Sequence, residues 1–133
     1  MREFARQQTA VLLRRLAFQA NRAAKVNDAD AIHDLRVAIR RLSRALRVFS
    51  QFFPRRARKH VRRELAELLA AAGEVRDRDI AMDLLGKAGV SKKSAIVARL
   101  QTERRKAGKD LLSEIHRWNG RDFSAKWRAA LEL

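Results

Sequence analysis

The chain has no cysteine, no tyrosine, a single proline and only five glycines in 133 residues. Without cysteine there is no disulfide framework and no thiolate metal site, and the chain fits a reducing compartment. Scarce proline and glycine, with no alternating β-branched runs, argue against strands and for an all-α protein. Neither a signal-peptide apolar stretch nor a membrane-spanning run is present, so no membrane contact and a cytoplasmic location are expected. Acid is scarce too: 15 acidic residues stand against 31 lysines and arginines, a formal net charge of +16. Such an excess costs stability through self-repulsion and attracts nucleic acid, acidic membranes or phosphate polymers.

What is present, 47% apolar and 35% charged residues, is enough for one core at this length, so a single domain over residues 1–133 is expected. Punctuation divides the chain into about six helical stretches. The first runs from about Arg2 to Val26, and Asp28 is placed to cap a second that reaches Phe52 or Phe53. Pro54 starts a third, which Gly73 is expected to end. A fourth spans Asp77 to the Gly86–Gly89 region. Ser91 caps a long fifth that closes at Asn119-Gly120, and a short sixth follows from Asp122. Connections this short force an up-and-down bundle.

The second helix carries the chemistry. At about 100° per residue, Leu35, Ala38, Ile39, Leu42, Ala45, Leu46, Phe49 and Phe53 fall on one side. Within roughly 60° of His33 on the other side lie Arg36, Arg40, Arg44 and Arg47, with Arg41 slightly outside that arc. The stripe rises about 21 Å from His33 to Arg47, a track and not a pocket. A merely solvated helix face intersperses acids, because like charges four residues apart repel by about 0.2 to 0.5 kcal/mol. Here no aspartate or glutamate occurs between Asp34 and Glu64, while Arg55, Arg56, Arg58, Lys59, Arg62 and Arg63 extend the basic run. Unrelieved repulsion of this kind points to an external polyanion, and the planar fork of arginine suits phosphate oxygens. Beside such a ligand a protonated His33 is favoured, so binding should weaken as pH rises through neutrality.

The segment His33-Asp34-Leu35-Arg36-Val37-Ala38-Ile39-Arg40-Arg41-Leu42, continuing to Leu46-Arg47-Val48-Phe49, resembles the signature of the conserved histidine α-helical domain, CHAD. Gly73-Glu74-Val75-Arg76-Asp77-Arg78-Asp79-Ile80 resembles the second motif of that family, in the expected order. The resemblance implies a helical module that binds inorganic polyphosphate without catalysis and is associated with polyphosphate granules. It implies His33, Arg36, Arg40, Arg41, Arg47 and Arg76 as ligands, and the stripe itself adds Arg44. Where the family usually has arginine, this chain has Ser43. The family domain usually comprises two facing bundles and this chain resembles one, so either the half works alone, or two copies associate, or the chain is a piece of something longer; a symmetric homodimer is the favoured expectation.

Other readings are weaker. Asp79 and Asp83 share a helical face with Asp77 nearby, a pattern open to a divalent metal, but a helix start and neighbouring arginines explain these acids without one. Arg76 is then either a phosphate ligand or their structural partner. His60 and His116 lack metal-ligand spacing, and no phosphate loop or nucleophile elbow appears, so neither metal, cofactor nor enzymatic activity is expected. Nonspecific nucleic-acid binding is the main alternative. Against it, the aromatics fall on apolar faces, with Trp118 and Trp127 expected in the core, and the track lacks base-reading asparagine or glutamine.

Overall fold

The computed structural model describes all 133 residues and contains only helices. α1 spans Arg2–Lys25, α2 Ala29–Val48, α3 Arg55–Lys87, α4 Ala95–Gly120 and α5 Phe123–Ala130, with one 3-10 turn at Ser50–Phe52. Each of α1 to α3 packs against its successor, and α1 also touches α4, which closes the four long helices into an up-and-down ring. α5 lies across α1, α3 and α4. No helix is long and apolar enough to cross a membrane.

Five helices stand where about six are expected, because Gly73 does not end the third. Its backbone is not left-handed, and a β-carbon built there meets nothing. Alanines at 70, 71 and 72 favour helix on one side, and the buried series Leu65, Leu68, Ala72, Val75 continues the core stripe across the glycine. A helix-interior glycine costs about 1 kcal/mol, which burial of those side chains outweighs. α3 instead stops at a Schellman cap around Gly89, whose φ is +82°. Val90 N–H donates to Leu85 C=O at 2.9 Å and Gly89 N–H to Gly86 C=O at 3.0 Å.

Two smaller boundaries also differ from expectation. α2 ends at Val48, and the chain then winds through the 3-10 turn until Phe53, extended before Pro54 as a residue preceding proline must be. Phe53 remains buried although it lies outside α2. Ser94, not Ser91, caps α4, its Oγ accepting from Val97 N–H, while the Ser91 hydroxyl accepts from Lys93 N–H within the loop.

Leucines, isoleucines and alanines of the four long helices form the core. Its lower end is aromatic: Trp118, Phe123 and Trp127 stack edge to face with ring centroids 5.0 to 5.2 Å apart. One arginine registers the elements that matter for α2. Arg104 on α4 donates through Nε to Asp79 of α3 at 3.0 Å and through Nη2 to the Asn27 carbonyl at 2.8 Å. Gly108 allows this, since a β-carbon there would lie 2.5 Å from the Asn27 side chain. The turn before α2 is thereby seated on α4.

Candidate functional site: an arginine groove between two helices

α2 begins where expected. The Asp28 carboxylate accepts from Ala31 N–H at 2.8 Å, fixing the first turn and so the azimuth of every later side chain. Ile32, Leu35, Ile39, Leu42 and Leu46 are fully buried, which leaves His33, Arg40, Arg44 and Arg47 exposed on the opposite face and Arg36 half-buried at its edge. The two opposed faces expected from the sequence are present along α2, with Arg36 at their border and with Phe53 beyond the end of the helix.

The basic face is more than one helix wide. α3 runs alongside α2, and between them lies a shallow groove of about 230 Å³ lined by Arg40, Ser43, Arg44 and Arg47 from α2 and by Arg62, Ala66 and Leu69 from α3. That is smaller than the 300 to 1,000 Å³ of pockets that enclose a small molecule. It is a trough along which an extended ligand could lie. Ser43 occupies its wall, and Arg44, one position further on, lines the groove too. Arg62 was not singled out from sequence as a ligand. The signal was present in the uninterrupted basic run, but which of its members face α2 depends on helix packing.

Further along the same pair of helices the two sequence motifs meet. The charged form of Arg36 is disfavoured, so its pKa lies below the ordinary arginine value. Burial is the largest cause, followed by the charges of Arg40 and Arg76, with Asp77 acting in the opposite sense. Arg76 on α3 therefore lies within electrostatic reach of Arg36 on α2.

None of His33, Arg36, Arg40, Arg44, Arg47, Arg58, Arg62 or Arg76 forms an ion pair, whereas ten ion pairs form elsewhere. Asp34, the one acid within the stripe's sequence, is held by Arg22. The Nε donors of Arg36, Arg58 and Arg62 are shielded from solvent and have no acceptor within the protein. Unmatched buried donors cost about 1 to 3 kcal/mol each, so three of them, with Arg58 one turn before Arg62 on the same face of α3, are a feature in want of an acceptor.

Arg41 is not brought to this groove. It lies on the other flank of α2, lining a separate depression with Arg14, Arg15, Phe18 and Asp34 against α1. Its place outside the 60° arc was the visible sign.

The acids near the second motif are not at a helix start, since α3 passes through them. Asp79 is engaged by Arg104 and Asp83 by Lys87 at 3.0 Å. Arg76 pairs with none of Asp77, Asp79 and Asp83; Arg104 takes Asp79, and Asp77 forms no ion pair. The carboxylates of Glu64, Glu67 and Glu114 do converge, with ligand atoms within 4.8 Å of one another. Glu64 is met by His60 and Arg121, and Glu114 by Arg117 and the Trp118 indole N–H, which accounts for their proximity as charge neutralisation at the α3–α4 contact. His116 is exposed and joins no cluster.

Against known families, residues 9–133 match the model of the CHAD domain. No curated protein and no solved structure matches the chain.

Proposed function

The chain belongs to the CHAD family, and from that premise we propose that it binds inorganic polyphosphate in the groove between α2 and α3 and holds it without cleaving it. The observation that carries this reading is a seam of arginines from two helices, without an ion pair among them and with three buried Nε donors that no protein acceptor satisfies. A flexible chain of phosphates supplies acceptors at close and regular spacing, which a single phosphate could not do over this length. The ligands we assign are His33, Arg36, Arg40, Arg44, Arg47 and Arg76, together with Arg58 and Arg62 of α3. Arg41 would contribute to the surrounding field and not to direct contact. Residues 1–133 would act as one folding unit, placed in the cytoplasm at polyphosphate granules.

The affinity comes from many modest contacts. Exposed ion pairs contribute about 0.2 to 1 kcal/mol each, so micromolar binding, about 8 kcal/mol, also needs counterion release and therefore strong salt dependence.

Competition titration tests the reading. Affinity should rise with polyphosphate chain length, and duplex DNA of equal charge should compete poorly. Equal or better binding to the duplex would replace polyphosphate with nucleic acid as the ligand. Incubation with magnesium or manganese should leave the polymer length unchanged on a gel, and shortening would reveal catalysis. The double variant Arg40→Glu/Arg44→Glu should lose binding while keeping its helical circular dichroism.

A further inference from the structure

α3 outlasts the helix it packs on. Arg76 stands near Arg36, two turns from the start of α2, so Ile80 lies beside the first turn of α2 and the last turn of α3, from about Leu84 to Lys87, projects past it. α4 is joined to α3 just before this segment, through the pairing of Arg78 with Glu103 and of Asp79 with Arg104. Away from α4 the surface is apolar where the solvent would favour charge: Ile80 is 40% exposed and Leu84 60% exposed.

The flanking residues give that surface a definite pattern. Asp77, Ile80, Leu84 and Lys87 are spaced three, four and three residues apart, which sets them on one stripe of α3. The stripe reads the same in both directions except for its charge, with an acid at one end and a base at the other. When two such stripes meet antiparallel about a two-fold axis, Ile80 faces Leu84 of the second copy and Asp77 faces Lys87 of the second copy. Self-complementarity of this kind is what an isologous contact requires.

The two basic depressions discourage self-contact at their own faces. Each chain carries +16, and the α2–α3 groove and the α1–α2 depression both present unpaired arginines. Lys87 pairs with Asp83 of its own helix at 3.0 Å and stays largely exposed, so the Asp77 carboxylate of a second copy can join that pair from the open side.

We propose that two copies of this chain associate through the Asp77–Lys87 stripe of α3, with their helices antiparallel. The contact lies immediately beyond Arg76, so it brings the ends of two basic grooves together. It is opposed by the net charge of the two molecules and strengthened by whatever screens that charge. Its salt dependence is therefore opposite in sign to that of polyanion binding, which keeps it separable from the proposed function: association should grow as salt rises.

The experiment is sedimentation equilibrium on the full chain, freed of nucleic acid, from micromolar to hundreds of micromolar, at about 50 mM and about 500 mM salt. The average mass should climb from 15.3 kDa toward twice that value at the higher salt. Ile80→Glu/Leu84→Glu should stay at the monomer mass in both conditions with unchanged circular dichroism. A monomer throughout, a dimer that this variant retains, or a dimer that dissolves as salt rises would each overturn the proposal. The native chain lacks cysteine, so a second test is clean: mixing Ile80→Cys with Leu84→Cys protein should yield the mixed disulfide in several-fold excess over either symmetric one. Dominant symmetric disulfides would rule out the antiparallel register.

Discussion

Arg36 shows how a side chain can work against the fold that carries it. Burial and the nearby charges of Arg40 and Arg76 disfavour its cationic form more than Asp77 favours it. Replacing it with glutamine removes that repulsion, so Arg36→Gln should unfold at a higher temperature than the parent, by a degree or two if the gain is about 0.2 to 0.5 kcal/mol. The same variant should bind polyphosphate more weakly, and calorimetry of the free and loaded forms reads both effects. A destabilised Arg36→Gln would show that its stem packs more than its charge repels. Arg62→Ala should weaken binding about fivefold, roughly 1 kcal/mol, in the same titration. Its role shows the limit of reading residues singly. The stripe on α2 was legible because one helix has one period, whereas Arg58 and Arg62 join it only through the packing of α3, about which the basic run Arg55–Arg63 says nothing.

At the scale of elements, the least legible boundary was the glycine in α3. Gly73 followed by Glu74 has the local character of a stop, but local preference is worth about 1 kcal/mol and lost to the packing of Leu68, Ala72 and Val75. The consequence can be measured: Gly73→Ala, in ordinary helical backbone with open space at the β-carbon, should stabilise the protein by about 0.5 to 1 kcal/mol in urea unfolding. A loss of stability there would mean that the helix needs a weak point. The start of α2 was legible because its cap is chemical, a carboxylate at Asp28 accepting from Ala31. Asp28→Ala should cost about 1 kcal/mol of stability, and by loosening the first turn it should weaken binding through His33 more than through Arg47. A double-variant comparison detects this, because Asp28→Ala should cost less polyphosphate affinity in a His33→Ala background than in an Arg47→Ala background.

For the whole molecule, the net charge of the sequence points to an anionic partner but does not say where the charge is unopposed. Several acids are paired with cations outside the groove, as in Arg22–Asp34, Arg104–Asp79 and Arg121–Glu64, while none pairs with an arginine lining it. A plot of log affinity for polyphosphate against log salt should accordingly be steep, and each arginine removed from the groove should lower its slope by just under one. A slope untouched by Arg40→Gln/Arg44→Gln would place the contact elsewhere. Cations without a partner also lie elsewhere, as at Arg14, Arg15 and Arg41, but in the groove unpaired arginines of two helices lie side by side, so positive charge is dense over that face. In the field of a long anion the molecule experiences torque before it experiences contact, so it turns its groove toward the polymer during approach. Capture should then be limited by diffusion and slowed by salt, independently of how tightly the chain is finally held.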